Sequence, residues 1–265
     1  MKRKLLWLLG IMLTVALVIS GYRTVAILTQ YAQAEEAYQQ VVDSAVTIAD
    51  EALPAAAVKT AETPIAQTLP LETPPIAVDF DALSKTNPDI VGWLYCAGTK
   101  INYPVVQTDN NTYYLNHLYD GKKGSSGTLF VDYACSSGFS DMDTIIYGHH
   151  MKSGSMFASI VEYRSQEYYD VHPVMYLLTP DGNYHLEVFG GFVADSGTNR
   201  LFGLDEQQQF QDYLAQIKTQ SDFKTDIEVT SQDRIVTLQT CTYEYEGARY
   251  QLFAVLSRIG DQPEL

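Results

Sequence analysis

"RIVTLQTCTYEYEGARYQLFAVLSRI", residues 234–259, sets how the rest of the chain is read. Its first eight residues are rich in β-branched side chains and alternate in character, which is strand chemistry. A period of two sends Thr237, Gln239 and Cys241 to one face. "TYEYEG" then has turn composition, with Gly247 able to take a positive φ. "ARYQLFAVLSRI" runs back as the partner strand. In an antiparallel pair the end of one strand neighbours the start of the next, so Cys241 and Arg249 meet at one rim. The thiolate is the nucleophilic form of cysteine, and an ordinary thiol ionises at roughly pH 8.5. A guanidinium favours that form, and its donors can hold an oxyanion or a carbonyl. Taken alone, Cys241 stays open to three readings: a buried packing residue, half of a disulfide, or a nucleophile.

Working outward, the pattern remains β. "DFDALSKTNPDIVGWLYCAGTK" reads as a short helix, a turn at Asn87-Pro88 and a strand near Val91–Tyr95. "INYPVVQ", "GTLFVDY" (127–133) and "DTIIYGHH" (143–150) read as strands, with a helical turn in "NNTYYLNHLYD". Residues 174–194 alternate on both sides of Pro180-Asp181-Gly182, the signature of a hairpin. Phe210, Tyr213, Leu214 and Ile217 fall at helical spacing within 205–221. "IEVTSQDRIVTLQTC" extends the final strand pair upstream. Many short strands with scattered helices predict a mainly β fold, a closed or nearly closed barrel with peripheral helices.

A formal net charge of −15 argues against nucleic acid as a partner. The three cysteines, Cys96, Cys135 and Cys241, lack metal-type spacing and cannot all pair within one chain. A Cys96–Cys135 disulfide is the one bridge worth weighing. Acyl transfer also needs a proton carrier, usually histidine. Of five histidines, His149 and His150 end a core strand and so can share a rim with Cys241. His185 reads as an exposed strand position, His172 as a pre-proline loop residue and His117 as a surface or packing residue. Adjacent His149 and His150 point apart in an extended segment, so one metal ion would rarely take both.

The N-terminus carries Lys2, Arg3 and Lys4 ahead of the uncharged run 5–22, long enough to span a bilayer. Basic residues before it, with Glu35 and Glu36 after it, predict a single-pass anchor with a cytoplasmic N-terminus and an extracellular body. The rival reading, a cleaved signal peptide, has "AQA" at 32–34 in its favour. Residues 23–52 contain no Gly or Pro and predict a juxtamembrane helix. Residues 53–77, rich in Pro, Ala and Thr, predict a linker that holds the body (78–265) away from the membrane.

"TLQTC" with an arginine eight residues on, and "YGHHMKSGSMF" upstream, resemble the sortases. The wider resemblance, to class B sortases, runs through "NPDIVGWLY", "INYPVVQTDNNTYYLNHLYDGKKGSSGTLFVDY" and "DTIIYGHHMKSGSMF", covering essentially all of 79–260. It implies a sortase-type barrel with an N-terminal helix and a helix before the nucleophile strand. It implies His149 as general acid/base, with His150 its non-catalytic neighbour, Cys241 as nucleophile, and Arg249 as the residue that positions substrate and steadies the oxyanion. Asn111 and Leu115 match positions lining the sorting-signal groove. Ser196 and Leu201 would come from the wall 195–203, and Gln239 and Thr240 flank the nucleophile. Where class B enzymes often carry Ser two residues before the nucleophile, this chain has Gln239, which puts a hydroxyl contact there in doubt.

The implied reaction is transpeptidation. A C-terminal sorting motif of an exported protein, Asn-Pro-x-Thr-like, is cleaved after Thr through a thioester. An amine of a peptidoglycan precursor, the lipid II stem peptide, then takes the acyl group. No metal or organic cofactor is implied. A papain-like peptidase would place Cys before His, and the histidine-glycine-cysteine-arginine run of L,D-transpeptidases is absent. Two alternatives remain: a pilin-polymerising sortase with a lysine acceptor, and a membrane-tethered binding module without catalysis.

Overall fold

The computed structural model describes residues 2–48, 73–196 and 206–260. Its first element is α1 (Lys2–Ala45), a continuous helix in a stretch without proline. Ile11, Leu13, Leu17 and Val18 are exposed on it, and among the described residues it is the one helix long and apolar enough to cross a membrane. Further along, Ala34, Tyr38, Val41 and Ala45 recur at four-three-four spacing and are buried in the main core. The helix therefore docks on the body rather than merely leading to it. It stops at Ala45, short of the residue 52 expected from composition. Val46, Thr47 and Ile48 are β-branched and stiff at χ1, and they form β1 (Val46–Ile48), antiparallel to β2 (Ile76–Val78). Ile48 pairs with Ile76, so the last residues assigned to the linker belong to a strand. Residues 49–72 lie outside the described residues.

α2 (Phe80–Thr86) is capped by Asp79, whose Oδ1 accepts the Ala82 N–H at 2.9 Å. It ends just before Asn87-Pro88, where proline disfavours helix. The barrel strands follow: β3 (Ile90–Tyr95), β4 (Asn102–Val106), β5 (Leu129–Val131), β6 (Asp143–Tyr147), β7 (Val174–Thr179), β8 (Gly182–Asp195), β9 (Ile235–Cys241) and β10 (Ala248–Arg258). They close in the order β10-β8-β7-β3-β4-β5-β6-β9, so the barrel itself has no open edge. β4–β5 and β6–β9 pair in parallel, and the other pairs are antiparallel.

Trp93, Leu94, Val105, Leu129, Ile146 and Leu238 are fully or almost fully buried in the main core. α3 (Gln166–Val171) and a 3-10 segment, Phe157–Arg164, lie between β6 and β7. α4 (Gln207–Gln220) buries Phe210, Tyr213, Leu214 and Ile217 as the spacing predicts. With Phe189 and Phe253 they form a second core cluster, each large side chain contributing about 1.5–3 kcal/mol.

Several sequence expectations change. The strand 143–150 ends at Tyr147, the strand before Cys241 begins only at Ile235, and 127–133 shrinks to Leu129–Val131. All three cysteines are free, so the Cys96–Cys135 bridge is not formed. His185 is 6% exposed, not a surface residue. Its strand is flanked by both β7 and β10, and its ring packs edge-on against Tyr176 at 5.9 Å. Burial lowers its pKa.

Candidate active site

Parallel pairing sends the C-terminal ends of β6 and β9 to the same rim, where Tyr147 lies opposite Gln239. The chain leaving β6 is then tied to β9. The Gly148 N–H donates to the Gln239 carbonyl at 3.1 Å, and the Thr240 hydroxyl donates to the Gly148 carbonyl at 2.7 Å. His150 Nδ1–H donates to the Cys241 carbonyl at 3.0 Å. On the other side of β9, Arg249 is the direct register partner of Cys241. Gly247, at φ +84°, makes the turn between them. Strand period, turn chemistry and parallel pairing thus bring "YGHH", "LQTC" and Arg249 to one place.

His149 Nε2 sits 2.8 Å from the Leu115 carbonyl. A carbonyl only accepts, so Nε2 carries the hydrogen and the lone pair of the neutral ring is on Nδ1. Arg249 donates from one guanidinium nitrogen to the Ala248 carbonyl at 2.9 Å, which fixes one prong of its fork.

His149, Cys241 and Arg249 line a cavity of about 280 Å³. Asn111, Leu115 and Ser196 line it too, as do Gln239 and Thr240. Leu201 falls outside the described residues. Gln251 Nε2 donates to Gln239 Oε1 at 2.8 Å, which fixes the Gln239 side chain beside the nucleophile strand end.

Sequence reading missed Phe130 and Tyr147 as lining residues. They are register partners across β5–β6, with rings 5.1 Å apart. It also missed Asp132, buried behind the wall. Its carboxylate accepts from Asn111 Nδ2 at 3.0 Å, the Tyr147 hydroxyl at 2.6 Å and the Ala134 N–H at 2.9 Å. Asn111 Oδ1 in turn accepts the Tyr133 N–H at 2.9 Å, so both ends of the Asn111 amide are fixed. Tyr147 directly precedes the glycine of "YGHH", and that adjacency was the available signal.

Burial pushes the Cys96 thiol up to about 11 and the Cys135 thiol up to about 12, so neither serves as a thiolate near neutral pH. Cys241 is only half-buried and opens on the cavity. Among the described residues no cluster of His, Cys, Asp or Glu could hold a metal ion. A thiol, an imidazole with its basic nitrogen defined, and a guanidinium around one cavity supply the groups that acyl transfer through a thioester requires.

No family model matches the chain. Sortase B of Listeria monocytogenes is 40% identical over 172 residues, which cover 63% of this chain and 69% of that protein. Sortase B of Staphylococcus aureus is 33% identical over 177 residues, 66% of this chain and 72% of that one. Among solved structures, sortase B of Bacillus anthracis matches with a TM-score of 0.70 at 28% identity, covering 88% of this chain and 100% of that chain. The Staphylococcus aureus sortase B–substrate complex matches with a TM-score of 0.64 at 32% identity, over 68% and 85% of the two chains. With relatives of this identity over this span, and the same barrel in the solved structures, the chain belongs to the class B sortases, which are cysteine transpeptidases.

Proposed function

We propose that Cys241 is the nucleophile, His149 the proton carrier and Arg249 the oxyanion and substrate clamp of this transpeptidase. The observation that carries the assignment is the register: Arg249 pairs with Cys241 while hydrogen bonds to Gly148 and Cys241 hold the "YGHH" turn against the same strand end. His149 Nδ1 takes the proton of the Cys241 thiol, and the resulting thiolate attacks the carbonyl carbon of Thr in an Asn-Pro-x-Thr-like sorting motif. The new S–C bond forms as the amide C–N bond breaks, and the imidazolium gives its Nδ1 proton to the leaving amine. The acceptor amine of a peptidoglycan stem peptide then attacks the thioester, Nδ1 takes its proton, and the thiolate departs. Nδ1 carries both transfers because Nε2–H is engaged by the Leu115 carbonyl.

The groove formed by Asn111, Leu115, Ser196, Gln239 and Thr240 takes the sorting peptide. A substrate complex of the Staphylococcus aureus relative supports a peptide ligand for this site. The exposed apolar part of α1 serves as the membrane anchor. Lys2, Arg3 and Lys4 stay in the cytoplasm, and the barrel lies outside.

The test incubates the full chain, in detergent, with a panel of sorting peptides and an amine acceptor. Mass spectrometry is expected to find an acyl adduct on Cys241, and Cys241→Ala is expected to abolish both adduct and cleavage. If no peptide in the panel gives either product, a binding module replaces the enzyme reading.

A further inference from the structure

We propose that Tyr38, on α1, is a positioning residue for His149, so that the N-terminal helix is part of the catalytic apparatus. The inference rests on His149 being the proton carrier. Tyr38 is 6% exposed, with its ring edge-on to Tyr103 at 5.2 Å. Its hydroxyl donates to the Gly127 carbonyl at 2.5 Å and lies 3.1 Å from Thr128 Oγ1. These two residues hold the segment that carries the His149 acceptor. The Thr128 N–H donates to the Tyr114 carbonyl at 3.0 Å, and the Thr128 hydroxyl donates to the His117 carbonyl at 2.9 Å. Gly127 adopts φ +57°, and a Cβ there would fall 2.4 Å from the Tyr114 oxygen and 2.9 Å from the Leu115 oxygen. The Gly127 backbone is therefore pressed against the peptide group that receives His149 Nε2–H.

The coupling follows from ordinary hydrogen-bond accounting. Gly127 is buried, and a buried carbonyl that loses its donor must find another or remain unsatisfied. The peptide units on either side of a glycine turn easily because no Cβ restrains them. Without the Tyr38 hydroxyl, the 127–128 peptide reorients, the contact on Leu115 relaxes, and the carbonyl that fixes the His149 tautomer moves. The proton then resides on Nδ1 for part of the time, where it blocks the nitrogen that must accept one.

Tyr38→Phe keeps the ring and removes only the hydroxyl. In the full chain in detergent, kcat for peptide cleavage is expected to fall about tenfold with KM unchanged, a loss in keeping with slight misplacement of a catalytic group. Nitrogen-15 NMR of labelled histidine, assigned with His149→Gln, is expected to show the His149 ring shifting from a pure Nε2–H tautomer toward a mixture. Thr128→Val is expected to do the same and serves if Tyr38→Phe does not fold. Val41→Ala, in the same docked face, is expected to lower Tm while leaving kcat and the ring signals unchanged. The proposal is overturned if Tyr38→Phe leaves kcat and the ring signals as in the parent, or if Val41→Ala moves them equally. A fully active His149→Gln would instead overturn the role of His149 itself.

Discussion

A Cβ built on Gly148 would lie 2.5 Å from Leu129 Cδ2 and 2.6 Å from Phe157 Cδ2, and His149 follows immediately in the chain. Gly148→Ala forces one of these neighbours, or the turn itself, to move. We expect a loss of about 1–3 kcal/mol in urea unfolding, typical of overpacking. We also expect a fall in cleavage rate on the order of a hundredfold, because a shift of about an ångström at a catalytic group has that effect. An active Gly148→Ala enzyme would show that the close approach does not place His149. At this scale, the Cys241–Arg249 pairing was legible because it depends on strand period and one short turn. The Asn111–Asp132–Tyr147 network was not, since its members come from separate segments that only the closed barrel brings together. Nor was the part played by Leu115: its carbonyl holds His149, and a backbone group leaves no mark in residue identity.

β6 and β9, the two strands that deliver the candidate site, are also joined through their side chains. Asp143, fully buried at the start of β6, accepts the Thr237 hydroxyl from β9 at 2.8 and 3.0 Å. Burial raises its carboxyl from 3.8 to about 7. The native chain therefore keeps this proton up to about pH 7, whereas the unfolded chain releases it near pH 4. The stabilisation is complete below the unfolded value and is lost as pH rises through the folded one. Asp143→Asn keeps an acceptor for Thr237 but cannot ionise. Relative to the parent, it should gain on the order of 4 kcal/mol between pH 4 and pH 8. Denaturant midpoints at both pH values read this directly, and a parallel pH response in the two proteins would contradict it. Strand existence was legible from alternation, and α4 from its apolar stripe. The parallel β6–β9 pairing was not, because its partners lie more than ninety residues apart, as the bond from Thr237 to Asp143 shows. The end of α1 was misjudged where good helix formers give way to Val46, Thr47 and Ile48.

The whole molecule is organised by where α1 docks and by what lies between its end and the barrel. Ile48 and Ile76 are register partners, so the intervening segment leaves and returns at one place. Deleting residues 53–70 still leaves 49–52 and 71–75 to turn between the paired strands. We expect peptide cleavage to be unchanged and stability to rise slightly, by about 0.6 kcal/mol for each halving of the loop. A drop in Tm or in cleavage would show that the segment itself contributes. The long apolar run of α1 was legible in composition. Its docking was legible in principle, from Ala34, Tyr38, Val41 and Ala45 at helical spacing, but a reading by composition overlooked the stripe.

Ala34, Tyr38, Val41 and Ala45 dock α1 on the body, so helix and barrel form one continuous piece. On the reading of α1 as an anchor, the altitude and compass heading of the cavity above the bilayer are set by helix length alone. One residue inserted between Leu28 and Tyr31 would lift the barrel by about 1.5 Å and swing it by about 100° around the helix axis. Seven residues, close to two full turns, would raise it by about 10 Å with its heading nearly restored. Helix length in this chain is thus a ruler and a protractor for the point at which the cavity meets its substrates.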